Sequence, residues 1–184
     1  MELDYTAGCV NFRDVGEYIN LIVNNHLLPV NRLFRGGKTD FVKSSEEVKN
    51  PKTIINLRTT EDVLSFGAAN YHFPLGNNLE KYHTEQKEVQ VWLNNVIGLF
   101  EDENLQYPVL IHCLSGKDRT GIVVATLLLI LGIKKKFIVE EYLLSEGEVS
   151  VDLIDAAISG IGEPREYFKR LDLDKIRKNI MSSY

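Results

Sequence analysis

The strongest indication of chemistry in the sequence is the stretch HCLSGKDRTG, from His112 to Gly121. Cys113 and Arg119 stand six positions apart, and we call the residues between and including them the cradle loop. Five residues between a cysteine and an arginine let the main chain curl around a tetrahedral oxyanion with its N–H groups pointing inward. The N-terminus of a following helix would point at the same place. Gly116 suits such a turn because glycine tolerates a positive φ and a close approach.

Cys113 is the candidate nucleophile of this loop. Helix N-termini and nearby cations lower the pKa of cysteine thiols, so we expect a thiolate at neutral pH. Arg119 can contact two phosphate oxygens with its planar guanidinium, which stays charged throughout a reaction. These two residues predict in-line attack of sulfur on phosphorus, a cysteinyl-phosphate intermediate and then attack by water, with no cofactor.

Two residues beside the loop have supporting roles. Thr120 is expected to donate a hydrogen bond to the sulfur, and an ordinary hydroxyl in a first helical turn is its alternative interpretation. His112 is expected to fix the end of the preceding strand through its ring nitrogens. We predict no metal site, because one histidine beside one cysteine lacks the three or four ligands that zinc requires.

The loop must be held between a strand and a helix. Val109–Ile111 reads as a buried strand, and a long apolar helix is predicted from Arg119 to Leu131. The other predicted elements are a hairpin over Tyr18–Leu28 with a turn at Asn24-Asn25, strands at Arg32–Arg35, Thr53–Leu57 and Tyr71–Pro74, a short helix opening at Thr60-Glu61-Asp62, a helix over Glu85–Glu103, and helices after Lys135. This order predicts an α/β fold in which helices flank a small, mostly parallel central sheet, with a helical C-terminal part, in a single domain of residues 1–184.

Composition excludes several classes of protein. The chain has 184 residues, 44% of them apolar and 26% charged, which is typical of a folded soluble domain. A net charge of −5 argues against a nucleic-acid partner. Two distant cysteines, Cys9 and Cys113, indicate free thiols rather than a disulfide framework. The apolar run Ile122–Leu131 is too short to cross a bilayer, and no cleavable signal is visible, so we expect a cytoplasmic protein, with export by another route left open.

The stretch HCLSGKDRTG resembles the signature loop of the cysteine-dependent protein tyrosine phosphatase superfamily. Its GKDRTG ending is similar to that of bacterial-type tyrosine and phosphoinositide phosphatases and atypical dual-specificity phosphatases, as are NFRDVG (Asn11–Gly16), LFRGG (Leu33–Gly37) and INLRT (Ile55–Thr59) in the same order. The resemblance implies a protein tyrosine phosphatase-like fold. It also implies that Cys113 is the nucleophile and Arg119 the phosphate clamp, and that the substrate is bound by Leu114, Ser115, Gly116 and Lys117, with Asp118 completing the lining.

The general acid is harder to assign. Relatives commonly supply an aspartate from a separate loop, but the corresponding stretch here, Phe73–Gln86, contains none. The relatives' DLR block reads INLR in this chain, with Asn56 in place of the acid. We therefore favour Asp118, which some lipid-directed relatives also carry, and an N-cap of the following helix is an equally weighted explanation for it. The remaining candidates are Glu80, His83 and Glu85.

Together these patterns predict a phosphatase of phosphotyrosine or mixed phosphate monoesters, acting on a phosphorylated protein or a phosphoinositide without inserting stably into a membrane. In relatives, a lysine at the position of Lys117 accompanies phosphoinositide or broad substrate acceptance, and a solvated surface lysine is the alternative. A phospho-binding module without turnover is the second hypothesis for the chain, and a rhodanese-type sulfur carrier is less favoured. Scaffold roles are expected for Arg13 with Asp14, Arg35 and Arg58 as ion-pairing groups, and for Cys9 as a small buried residue.

Overall fold

A five-stranded sheet forms the centre of the molecule. The computed structural model describes residues 3–78 and 80–182, and the strands are β1 (Arg13–Asp14), β2 (Leu33–Gly36), β3 (Thr53–Asn56), β4 (Ala69–His72) and β5 (Val109–His112). Their order across the sheet is β1-β2-β5-β3-β4. Only the pairing of β1 with β2 is antiparallel among these strands, so the prediction of a mostly parallel sheet is confirmed.

Helices cover the sheet and form the C-terminal part, as predicted. They are α1 (Val15–Val23), α2 (Lys87–Gly98), α3 (Asp118–Ile130), α4 (Lys135–Leu143), α5 (Val151–Ile161), α6 (Pro164–Tyr167) and α7 (Leu173–Met181), with short 3₁₀ turns at Ser45–Val48 and Leu99–Glu101. The helix α3 is apolar on nearly every side because it packs against β5, α2, α4 and α5 at once. Within the part of the chain that the structure describes, no helix combines the length and the apolar character that crossing a membrane requires.

The predicted hairpin over Tyr18–Leu28 is wrong, because its first half is the helix α1. The carboxylate of Asp14 accepts hydrogen bonds from the first turn of this helix, and Asn24 ends it in the left-handed conformation with a φ of 52°. The side chain of Asn20 binds both main-chain polar groups of Leu28, which a hairpin partner would otherwise satisfy.

Two further predictions need correction. The segment from Thr60 to Asp62 is not helical. The Asp62 carboxylate instead pairs with Arg58 and His112. The strand expected at Tyr71–Pro74 lies two residues earlier, at Ala69–His72, because its register with β3 places His72 opposite Asn56. The strands β2, β3 and β5 lie within one residue of their predicted limits.

Substitution of Asp14 tests the helical assignment of α1. Its Oδ1 accepts from the N–H groups of Gly16 and Glu17 at 2.8 and 3.2 Å, and its Oδ2 accepts from Asn31 N–H. We expect Asp14→Ala to lower the free energy of unfolding by about 1–2 kcal/mol, measured by urea denaturation. The control is Asp152→Ala, because Asp152 is exposed in the first turn of α5, whose N-cap is Ser150. Equal stability of the two variants would contradict the capping role.

Candidate active site

The cradle loop begins where three parallel strands end side by side. His112, the last residue of β5, is in register with Gly36 at the end of β2 and with Asn56 at the end of β3. Cys113 follows immediately and is 3% exposed. The carboxyl ends of parallel strands are the usual position of binding sites in open α/β sheets, and here the central strand delivers the cysteine to that position.

Three consecutive carbonyl oxygens of the cradle loop are held from outside. Leu114 O accepts from Lys38 N–H at 3.0 Å, Ser115 O from the Asn11 amide at 2.8 Å, and Gly116 O from the Arg35 guanidinium at 2.9 Å. In a planar trans peptide the N–H points opposite to the C=O of the preceding residue. The N–H groups of residues 115–117 therefore point toward the inside of the loop, as an anion-binding nest requires.

Glycines allow the cradle loop to pack against the end of β2. Gly116 has a φ of +70°, and a Cβ there would lie 2.4 Å from the carbonyl carbon of Gly36. A Cβ on Gly37 would lie 2.9 Å from Leu114 O. The LFRGG stretch and the signature loop thus fit together main chain against main chain, which leaves no space for a side chain at this contact.

Arg119 lies in the first turn of α3 and is 9% exposed. One terminal nitrogen donates to the side-chain oxygen of Asn77, from the loop between β4 and α2 (Phe73–Gln86). Its Nε is buried and has no hydrogen-bond partner among the described residues. A buried guanidinium with an unused donor is suited to an oxyanion, because an unpaired charged donor inside a protein is costly.

The neighbours of the cysteine and arginine differ from expectation in detail. The hydroxyl of Thr120 is buried and makes no hydrogen bond with any described residue, so the expected bond to the Cys113 sulfur is not formed. His112 uses only one of its two ring nitrogens. Its Nε2 lies 2.7 Å from Asp62 Oδ2, whereas its Nδ1 is buried and has no partner among the described residues.

A buried ion cluster supports the cradle loop from behind. Glu141 of α4 is 1% exposed and binds Arg13 Nε at 2.8 Å through one oxygen and Arg35 Nη1 at 2.5 Å through the other. Arg35 is fully buried and also carries Gly116 O, so the cluster connects α4, the sheet and the loop. Burial and, second, the charge of Arg35 lower the pKa of Arg13 to about 10, although Glu141 opposes both effects.

The remaining scaffold residues follow the sequence prediction with two exceptions, Asp14 and Cys9, which is half-buried rather than buried. Arg58 binds Asp40 at 2.7 Å and Asp62 at 3.4 Å, and therefore pairs as expected. Asp14 does not pair with Arg13 and instead caps α1. The thiol of Cys9 donates to Gly37 O at 3.2 Å, and burial raises its pKa to about 12, so this thiol stays protonated.

The candidates for the general acid have different partners in the structure. Asp118 is the first residue of α3, and its carboxylate accepts a hydrogen bond from the Tyr82 hydroxyl at 2.7 Å. The N-cap of α3 is Lys117, which makes no side-chain capping bond, so the capping explanation for Asp118 does not hold. His83 and Glu85 bind each other at 2.9 Å, and Glu85 lies against Gly160 of α5.

The other candidate residues differ in their exposure. Leu114 is 49% exposed, whereas Ser115 and Gly116 are buried. Lys117 lies against Gly147, and its Nζ is 4.0 Å from Asp118 Oδ2. Glu80 is exposed. Among the described residues, no group of three or more histidine, cysteine, aspartate or glutamate side chains is placed to bind a metal.

Sequence reasoning missed three residues that contact the site: Asn77, Tyr82 and Glu141. Asn77 and Tyr82 lie in the stretch in which an aspartate was sought, but amides and phenols there carry no recognised pattern. Glu141 lies in a helix of mixed polarity, and its neighbour Glu140 is exposed. The buried position of a single carboxylate becomes evident only when two arginines from other elements are placed beside it.

Comparison with known families agrees with this geometry. A model of the tyrosine phosphatase family matches residues 5–181. The chain belongs to the tyrosine phosphatase family. Membership confirms the resemblance inferred from the signature loop and its three companion motifs.

Individual relatives match the chain over a short segment or at low identity. A segment of 42 residues is 52% identical to the triple specificity protein phosphatase PtpB of Mycobacterium tuberculosis and spans 23% of this chain but 15% of that protein. The core catalytic domain of the PP-IP phosphatase SIW14 from S. cerevisiae superposes with a TM-score of 0.56 at 18% identity, covering 79% of this chain and 88% of that one. A second SIW14 catalytic-core structure gives a TM-score of 0.53 at 19% identity, covering 83% and 86%. These structures share the fold.

Removing the charge of Glu141 tests the buried ion cluster. We expect Glu141→Gln to lower the free energy of unfolding by about 3–5 kcal/mol, because two buried guanidinium groups lose their only acidic partner among the described residues. Urea denaturation measures the loss. The matched control, Glu140→Gln on the exposed side of the same helix, should change stability by less than about 0.5 kcal/mol. A loss below about 1 kcal/mol for the Glu141 variant would refute the supporting role.

Proposed function

We propose that this protein is a phosphatase that hydrolyses phosphate monoesters through a cysteinyl-phosphate intermediate. One observation carries the proposal: the buried Cys113 shares a loop with three outward-held carbonyls and the unpaired Nε of Arg119. The loop offers inward N–H groups and a guanidinium donor to a tetrahedral anion, and the sulfur lies at the same end of the central strand. Membership of the tyrosine phosphatase family supports the same reaction.

In the first step, the thiolate of Cys113 attacks phosphorus opposite the leaving oxygen. A sulfur–phosphorus bond forms as the phosphorus–oxygen bond breaks, and Asp118 gives its proton to the departing oxygen. The loop N–H groups and Arg119 hold the three equatorial oxygens, where the negative charge is spread. The protein supplies positioning and fixed charge without redox chemistry.

In the second step, a water molecule attacks the cysteinyl-phosphate. The carboxylate of Asp118 accepts the proton of the water as the new phosphorus–oxygen bond forms, and the sulfur leaves as a thiolate. Thr120 follows the arginine, and its buried hydroxyl, which has no partner among the described residues, remains free to donate to the sulfur as it departs. His112 holds the end of β5 in place through Asp62.

We infer phosphotyrosine and other phosphate monoesters as substrates. Lys117, beside Asp118, adds a second cation to the cradle loop after Arg119. This additional positive charge favours substrates with further negative charge. The half-exposed Leu114 offers an apolar contact at the rim. The name of one relative points to broad acceptance, since it is a triple specificity protein phosphatase. Phosphotyrosine peptides, phosphoserine peptides and phosphoinositides, compared by kcat/KM, would rank the classes.

Replacing Arg119 and Cys113 tests the proposed chemistry. We expect Cys113→Ser to abolish turnover of an aryl phosphate and Arg119→Lys to lower kcat by at least about 100-fold, because a point charge replaces a planar two-point contact. Phosphate release measures both, and circular dichroism checks the fold. The control is Arg170→Lys, at an exposed position remote from the loop in sequence, which should keep wild-type kinetics. Tight phosphopeptide binding without turnover in the wild type would instead identify a phospho-binding module.

The role of Asp118 has its own test. We expect Asp118→Asn to flatten the basic limb of the pH–rate profile, because the amide has no proton to lose over that range. The rate should fall more for alkyl phosphates than for aryl phosphates, since an alkoxide is the poorer leaving group. An unchanged profile would transfer the assignment to Glu80, His83 or Glu85, each tested by the corresponding amide or asparagine variant.

A further inference from the structure

Tyr82 connects the loop between β4 and α2 to the carboxylate of Asp118. Its side chain is buried, with 4% of the residue exposed, and its hydroxyl donates to Asp118 Oδ1 at 2.7 Å. The aromatic ring packs edge-to-face against Tyr142 of α4, with ring centroids 6.4 Å apart. A phenol held this firmly restricts the carboxylate that it binds.

The second phenol strengthens this contact. The hydroxyl oxygens of Tyr82 and Tyr142 lie 2.7 Å apart. A phenol has one hydroxyl hydrogen, and Tyr82 uses it to donate a hydrogen bond to Asp118, so Tyr142 must be the donor between the two tyrosines. Tyr142 is 1% exposed, and its ring fills the space in which a side chain on Gly121 would lie. The hydroxyl chain is therefore fixed against α3 itself.

The second oxygen of Asp118 lies near a lysine on a partly exposed side chain. Lys117 Nζ is 4.0 Å from Oδ2, and the Asp118 side chain is 29% exposed. Arg35 lies behind Tyr142, within 3.6 Å of the position of a Cβ on Gly121, and pairs there with Glu141. The carboxylate thus has one oxygen held by a buried phenol and the other 4.0 Å from a lysine ammonium, on a side chain that is partly open to solvent.

We propose that Tyr82 is a positioning residue that fixes one oxygen of Asp118 so that the other faces the leaving group. This inference rests on the proposed function. The loop between β4 and α2 contains no aspartate of its own, and it contributes here through the hydroxyl that orients the carboxyl group of another element.

The pH–rate profile distinguishes a positioning role of Tyr82 from a merely structural one, because a structural role would leave the profile unchanged. A donor to a carboxylate favours its charged form, so removing the Tyr82 hydroxyl favours the protonated form. Burial and the bond to Asp118 raise the pKa of Tyr82 above its ordinary value, so this hydroxyl remains a donor across the working range of pH. We expect the basic limb of the Tyr82→Phe profile to move to higher pH.

The leaving group provides the second readout. With a less well oriented acid, Tyr82→Phe should lower kcat/KM about 10-fold for an alkyl phosphate and by less than about 3-fold for 4-nitrophenyl phosphate, whose leaving group needs little protonation. In the Asp118→Asn background, the same change should have no further effect on the profile. A uniform loss for both substrates with an unmoved basic limb would overturn the inference.

Two further tyrosines make the test independent of folding. Tyr71 is half-buried in β4 and packs against the core, so Tyr71→Phe controls for loss of a phenol outside the loop between β4 and α2 and should leave both readouts at wild-type values. If Tyr82→Phe does not fold, Tyr142→Phe carries the test, because it weakens the donor strength of Tyr82 and should shift the limb in the same direction by less. An unmoved limb in a folded Tyr142 variant would then count against the inference.

The outcomes also separate this inference from the proposed function. Turnover that survives Cys113→Ser would defeat the cysteinyl-phosphate mechanism, whatever Tyr82 does. Turnover that depends on Cys113, with a pH profile unaffected by Tyr82→Phe, would leave the phosphatase intact and remove only the positioning role.

Discussion

The shape of the cradle loop depends on the hydrogen bond from the buried Arg35 guanidinium to Gly116 O. A fully buried arginine is costly unless its charge is neutralised, and Glu141 supplies that neutralisation from α4. The same carboxylate holds Arg13, so the sheet, the first helix of the C-terminal part and the loop share one buried ion cluster. The position of the loop N–H groups therefore depends on buried ion pairs.

The loop between β4 and α2 completes the site from the opposite direction. Asn77 binds Arg119 and Tyr82 binds Asp118, so one segment contacts both the proposed clamp and the proposed acid. The residues between Tyr82 and α2 turn away and dock on α5, where the Thr84 hydroxyl donates to Ala157 O. A segment anchored in this way can orient two side chains at once, so a chain with no aspartate in that segment can still hold a carboxyl group of the cradle loop through Tyr82.

Sequence reasoning was sound where a local pattern decides the structure and failed where distant partners decide it. The strand–loop–helix around Cys113 has a continuous apolar strand and a glycine-bearing loop, and both lie as predicted. The segment after Asp14 was misread because its alternating apolar residues resemble a strand, whereas its caps and the Asn20 side chain make it helical. Contacts of Tyr82 and Glu141 join residues far apart in the chain, and no spacing rule describes them.

The three groups that hold the carbonyls outward belong to the first 40 residues of the chain, and one of them, Asn11, is 104 positions from the oxygen that it binds. The signature stretch consequently cannot form the anion-binding site without these groups. A fragment that retained it but began after Lys38 would keep every residue by which the motif is recognised, yet it would lack the three groups that align the peptide dipoles. Capture of phosphate by this protein is thus a property of the finished tertiary structure, and a partly folded chain would have no affinity of this kind.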